Sequence, residues 1–226
     1  MLILGVLQFV VRPYLFETYS LPSNAMAATI LGPHHRGVCP ECGATSYYAA
    51  HDPTKGLLPQ LMICDHFHEA KVSDADSETY PDDEILVAKL RKPERWDLAV
   101  FQHPYSPSIL LTKRLVGLPG EKITIQDGAI YADGKKLTPP TSLQGLKYHT
   151  EMEDGPGQPL WGSPERPAQL GDDEFFVLGD FSARSADSRT WKEGAPNRAS
   201  YAVPESHLKG VVTHIIRPFH RMRVLD

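Results

Sequence analysis

The chain has 226 residues and a formal net charge of −5, from 23 Lys+Arg against 28 Asp+Glu. Non-specific nucleic-acid binding needs a basic field, so no nucleic acid is expected among its partners; 41% hydrophobic and 23% charged residues exclude disorder throughout. With 20 Pro and 17 Gly, a loop-rich β architecture is favoured over helix bundles.

Residues 1–11 read MLILGVLQFVV, an apolar run broken by Gln8 and closed by Arg12 and Pro13. A spanning helix needs about 20 mostly apolar residues, so the run is too short alone. No basic residues precede it and no small-x-small site follows, so it does not read as a good signal peptide. It reads as a core strand, as a half-buried terminal helix, or as the last half of a membrane anchor. The anchor reading sets a partial membrane segment at 1–16. The small-residue loop LPSNAMAATI follows at 21–30.

Residues 33–81 are rich in Pro, His, Gly and Asp, hold all 3 cysteines and lack sustained hydrophobic periodicity, which marks an insert. VCPECG places Cys39 and Cys42 on a tight knuckle, and Cys64 follows in CDHFH. An odd number of cysteines cannot all pair within one chain. A structural zinc wants four tetrahedral N or S ligands, and Cys39, Cys42, Cys64 and His68 would close that shell. His66 competes for the fourth place, with His51, His34 and His35 as spares. The other reading is a Cys39 to Cys42 disulfide with Cys64 buried as a small hydrophobe.

From 82 to 131 short apolar, β-branched runs alternate with Pro and Gly signals and predict strands at 84–90, 97–102, 109–116, 122–126 and 129–132. Asp127-Gly128 is a hairpin signal. Residues 132–170, polar and Pro-rich, read as a second insert or a small cap subdomain. The last stretch predicts strands at 174–178 and 210–216 around a polar loop, GDFSARSADSR, at 179–189. Antiparallel β is the predicted class. The catalytic β core is expected to comprise 17–32, 82–131 and 171–226.

Lys113 stands inside ILLTKRLVG, with apolar neighbours on both sides. Such a lysine either reaches solvent from an edge strand or is desolvated, in which case its pKa falls and the neutral amine can act as a general base. The loop 179–189 reads either as a solvated turn or as a hydrogen-bonded, ion-paired platform whose serine orients a catalytic group.

Taken in order, the apolar segment, PSNAMxxT, KRLVGLPGEKI, GDFSARSADSR and the tail VPESHLKGVVTHIIRP resemble the type I signal peptidase family, whose serine and lysine form a catalytic dyad. The resemblance implies a mostly β, antiparallel signal-peptidase-like fold with a short N-terminal anchor and inserts. It implies Lys113 as general base and Ser185 as the hydrogen-bond partner of its amine. Arg114, Asp180, Asp187 and Arg189 would form the platform, and the Ser23 hydroxyl would help build the oxyanion hole. Substrates implied are secretory preproteins with small-x-small sites, cut at the extracytoplasmic face of a membrane, with no cofactor in the chemistry.

The family's nucleophile falls on Ala25. A methyl group cannot attack a carbonyl, and losing a serine nucleophile typically costs about 10⁶-fold in turnover. Four readings follow: an engineered trap, a natural pseudopeptidase that binds signal peptides or partner proteins, an enzyme using Ser23, or another activity on the same fold. Ala28 in place of proline, Phe181 in place of asparagine and Trp96 where Arg-Gly-Asp is usual favour natural divergence. Ser23 lies two residues away, about 6 to 7 Å along an extended segment.

Overall fold

The computed structural model describes residues 14–51, 59–73, 75–151 and 159–225. Nearly all the apolar run proposed as an anchor lies outside them. Among the described residues no helix is long and apolar enough to cross a membrane.

The architecture is antiparallel β throughout, in three sheets. The largest has eight strands: β1 (Phe16–Ser20), β6 (Glu84–Ala88), β15 (Leu208–Arg217), β7 (Leu98–Gln102), β8 (Leu110–Gly117), β13 (Glu174–Leu178) and β14 (Val203–Pro204) in that order, with β16 (Arg223–Val224) paired to β15. Every strand predicted from 84 to 116 and from 174 to 216 is present, shifted by no more than two residues at its ends. The reason is the density of β-branched and aromatic residues between turn signals.

The second sheet runs β11 (Lys135–Lys136), β10 (Ala129–Ala132), β9 (Lys122–Gln126), β12 (Ala168–Gln169). The hairpin between β9 and β10 turns at Asp127 (φ 51°) and Gly128 (φ 77°), the left-handed pair that an Asp-Gly turn supplies. Its two outer strands come from the Pro-rich stretch 132–170. Val116, Ile123, Ile125, Ile130, Phe176 and Tyr201 form the core that joins this sheet to the first.

The third sheet is the Cys-bearing insert: β2 (His34–Val38), β3 (Thr45–Ala49), β4 (Leu61–Cys64), β5 (Glu69–Lys71). The segment without hydrophobic periodicity is therefore a four-stranded meander. Its alternation is hidden because polar and aromatic residues share both faces, as in TSYYA and HHRGV. Only a small apolar face is left to pack. Tyr47 and Ile63 from this sheet meet Ala27, Ala28, Leu31 and Phe181 in one buried cluster.

Candidate active-site cleft

β8 decides where the chemistry sits. Successive residues of a strand face opposite ways, so Lys113 and Arg114 leave β8 on opposite sides, and both are buried. Lys113 lines a cavity of about 70 Å³ together with Leu21, Pro22, Ser23 and Met26. Arg114 lines a larger recess on the other side with Thr29 and Ala28.

The loop bearing Ser23 and Ala25 is closed by Asn24. Its Nδ2 donates to the Pro33 carbonyl at 2.8 Å, and its Oδ1 accepts from the Gly32 N–H at 2.9 Å. Met26, Leu21 and Ile30 are pressed into the core against Ile85, Val87 and Val100 of the large sheet. The sequence does not single out Asn24, although an amide followed by Gly32-Pro33 eight and nine residues on is the signal that would have found it.

Lys113 is 4% exposed, and among the described residues its amine has neither a hydrogen bond nor a carboxylate at ion-pair distance. Burial drives its pKa down from 10.5 to about 8; Arg189 pushes the same way, while Asp187 and Asp180 oppose. Desolvation of an ammonium without a partner is the route to a neutral, basic amine near neutral pH.

The wall beside it is the loop 179–189, folded back onto β13. Val177 N–H donates to Ser188 Oγ at 2.9 Å, and Ser188 N–H to the Val177 carbonyl at 3.2 Å. Asp187 takes the Arg189 Nε and Nη2 on its two oxygens at 2.9 and 2.8 Å and also accepts the Gly179 N–H at 3.0 Å. Arg189 donates further to Ser182 Oγ, the Ser182 carbonyl and the His149 carbonyl. Burial opposes the Asp187 charge, but the Arg189 guanidinium outweighs it and holds the carboxyl below its ordinary value. On the far side of the loop Asp180 pairs with Arg114 through two hydrogen bonds and accepts the Thr29 hydroxyl at 2.5 Å. Thr29 is the link from this ion pair to the Ala25 loop, and Ser182 the link from Arg189 to residue 149. Neither role is visible without the fold.

Ser185 is 1% exposed, and its Oγ has no hydrogen-bond partner among the described residues. It lies against Gly179, which in turn abuts the Ala25 carbonyl. That carbonyl accepts the Phe181 N–H at 3.1 Å. Lys113, Ser23, Ala25, Ser185, Arg114, Asp180, Asp187 and Arg189, read from separate stretches of sequence, thus meet around one pair of strands. Ser23 and Lys113 share a cavity, whereas Ala25 is absent from its lining.

Ala28 and Phe181 both lie in the cluster that receives the insert, against Tyr47 and Ile63. Trp96, with φ 74°, offers its carbonyl to Arg114 Nη1 at 2.6 Å and packs against the core that joins the first two sheets. In the insert the donor atoms of Cys39, Cys42, Cys64 and His68 all lie within 4.8 Å of one another, and the three thiols are free.

A desolvated amine facing a serine-bearing loop, walled by a buried ion-paired turn, is an arrangement in which a neutral lysine can take a proton from a hydroxyl. The chain belongs to the family described as signal peptidase, peptidase S26, whose family model matches residues 57–216. It is similar to the signal peptidase I of Rickettsia typhi, 35% identical over 120 residues that cover 44% of this chain and 46% of that protein. The signal peptidase I of Rickettsia massiliae is 34% identical over 120 residues, covering 44% and 45%. The chain thus spans about half the length of these relatives. A crystal structure of a signal peptidase I from Enterococcus faecalis matches 54% of this chain and 98% of its own length, with 24% identity and a TM-score of 0.37.

Proposed function

We propose that this signal-peptidase-like chain binds the cleavage region of secretory preproteins as an added β-strand and holds it without cutting, because Ala25 occupies the nucleophile position. The observation that supports this is an unpaired stretch of β8 beside the Ser23 loop, with no hydroxyl at position 25. Among the described residues the β8 backbone from 110 to 113 pairs with β7 on one side only, since β13 pairs no further than Arg114. That leaves an open edge beside the Ser23 loop for an extended peptide. The cavity of about 70 Å³ under this edge is small beside the roughly 300–1,000 Å³ of usual ligand pockets. It suits a small side chain, in line with small-x-small substrates.

With a hydroxyl restored at position 25, Lys113 would be the general base, and Ser185 the partner its amine turns to when a substrate excludes water. The Ser23 hydroxyl and backbone N–H groups of the loop stabilise the oxyanion. A hydroxyl at position 25 would lose its proton to the amine as it attacks the carbonyl to form a tetrahedral adduct; the lysine would return that proton to the leaving nitrogen as the C–N bond breaks, and water would then hydrolyse the acyl ester. With Ala25 only binding and oxyanion stabilisation remain. The apolar run at 1–11 and the exposed Tyr14, Leu15 and Phe16 that follow would seat the cleft at a membrane surface, on the extracytoplasmic side.

The shared cavity of Ser23 and Lys113 favours a second reading, in which Ser23 itself attacks. The two are separated by a preprotein cleavage assay in detergent. Binding without cleavage by the parent chain, with cleavage gained by several orders of magnitude in Ala25→Ser, supports the first. Cleavage by the parent chain that vanishes in Ser23→Ala supports the second. Absence of preprotein binding by parent and Ala25→Ser alike overturns both.

A further inference from the structure

The insert carries a site that the peptidase chemistry does not use. Two hairpin turns lie side by side at one end of its sheet: Cys39 to Ala44 between β2 and β3, and Asp65 to His68 between β4 and β5. Pairing of Ser46 with Cys64 fixes them as neighbours. Each turn is a knuckle. Gly43 N–H donates to the Cys39 carbonyl and Cys39 N–H to the Ala44 carbonyl, both at 2.9 Å. Phe67 N–H donates to the Cys64 carbonyl at 2.8 Å, and Cys64 N–H to the His68 carbonyl at 3.1 Å. Gly43 and Phe67 take the left-handed backbone that such knuckles need, with φ 72° and 61°.

These turns aim four soft donors at one point. Cys42 Sγ stands 3.8 Å from Cys64 Sγ, and Cys39 Sγ stands 3.8 Å from His68 Nδ1. A tetrahedral ion with metal–sulfur bonds of about 2.3 Å has sulfur–sulfur edges of about 3.8 Å and slightly shorter sulfur–nitrogen edges. A disulfide would need sulfurs about 2.05 Å apart. His66 Nδ1 approaches Cys42 Sγ at 3.4 Å, but it is His68 whose nitrogen lies within 4.8 Å of all three sulfurs.

We propose that Cys39, Cys42, Cys64 and His68 bind one structural zinc ion. Three thiolates and an imidazole select zinc over oxygen-loving magnesium or calcium. Binding forms three metal–sulfur bonds and one metal–nitrogen bond, and the thiol protons leave to solvent. Four protein donors close the shell, leaving no open position for catalysis. The role is mechanical. The sheet this ion would staple contributes Tyr47 and Ile63 to the wall that holds Ala28 and Phe181. Its Glu69 accepts the Ala183 N–H at 3.2 Å and meets His149 Nε2 at 2.8 Å. A meander with so small an apolar face gains most from a metal.

The test reads metal and not cleavage, so its outcome is independent of the functional reading above. The full chain, expressed with zinc in the medium and gel-filtered without chelator, should retain about one equivalent of zinc by elemental analysis. Cys39→Ser and Cys64→Ser should lower it at least tenfold, as should His68→Ala, while His66→Ala leaves it in place. Because those variants can fail to fold, cobalt(II) titrated into the chelator-stripped parent chain gives a second readout. Sulfur-to-cobalt charge-transfer bands and strong visible tetrahedral bands support the proposal. A folded parent chain that carries no zinc and gives only weak octahedral cobalt bands overturns it. So does loss of two free thiols to a disulfide, or dependence on His66 in place of His68.

Discussion

Gly179 and Ser185 are in such close contact that a Cβ added to Gly179 would fall 2.1 Å from the Ser185 hydroxyl and 2.6 Å from the Ala25 carbonyl. The glycine is dictated by space, since Ser185 and the Ala25 carbonyl both converge on its Cα. Gly179→Ala must push either the loop 179–189 or the Ala25 loop aside. Overpacking of this kind costs about 1–3 kcal/mol. We expect a lower unfolding midpoint for Gly179→Ala and, in an Ala25→Ser background, a loss of cleavage larger than the loss of stability explains. Unchanged kinetics in that background would show that the contact does not position the site.

Lys113 places a pH-dependent load on the fold. Its pKa falls from 10.5 to about 8, mainly through burial. Between those values the unfolded chain holds a proton that the folded chain has released, so stability rises with pH across that window. Below pH 8 both states are protonated and the load stands in full, at about 3 kcal/mol for a shift of this size. Lys113→Met should therefore be more stable than the parent at pH 7, with the difference shrinking toward pH 10. Urea titrations at several pH values decide it, and equal stability at pH 7 would contradict the desolvated amine. In Ala25→Ser, cleavage should rise with pH and level off above about pH 8, where the amine is neutral.

The strands that carry these groups were legible in the sequence because each is a short β-branched run fenced by Pro or Gly, and Lys113 stood out by interrupting one of them. The loop 179–189 was legible as a polar cluster, but not its wiring. That Asp187 would choose Arg189 and Asp180 choose Arg114 depends on Lys113 and Arg114 leaving β8 on opposite faces, which only the assembled sheet fixes. Thr29 and Ser182 were unreadable for the same reason: each bridges segments far apart in sequence. The insert hid its strands because Tyr, His, Ser and Thr fill positions where periodicity would show, while its cysteine spacing remained plain.

The Asp187 to Arg189 pair is fully buried and doubly bonded. Removing one partner strands the other charge, at a cost of about 3–5 kcal/mol. Asp187→Asn should destabilise by that order, and Arg189→Met in the same chain should recover part of the loss, which a double-mutant cycle in denaturant measures. The Asp187 carboxyl sits below its ordinary value, so its contribution is present at neutral pH and fades only as acid protonates the folded form. A further consequence concerns the amine. Asp187 favours the charged form of Lys113, so Asp187→Asn in an Ala25→Ser background should move the acid limb of the cleavage profile to lower pH. A shift to higher pH would contradict the assigned geometry.

Phe181 ties the insert to the cleft. It is 2% exposed, packs with Ala27, Ala28 and Leu31 on one side and Tyr47 and Ile63 on the other, and its N–H holds the Ala25 carbonyl. Cutting the ring back leaves a cavity between the insert and the loop, at about 3–5 kcal/mol for a buried phenylalanine. Because the insert has little other apolar surface, the loss should be local. In Phe181→Ala, amide hydrogen exchange should quicken in β4 and in residues 27–31, while β9 and β10, packed in a different core, keep their protection. Phe181→Leu should recover most of it. Uniform quickening across all three sheets would mean that the insert and the cleft unfold only with the whole chain, and that the phenylalanine is core and not a hinge between them.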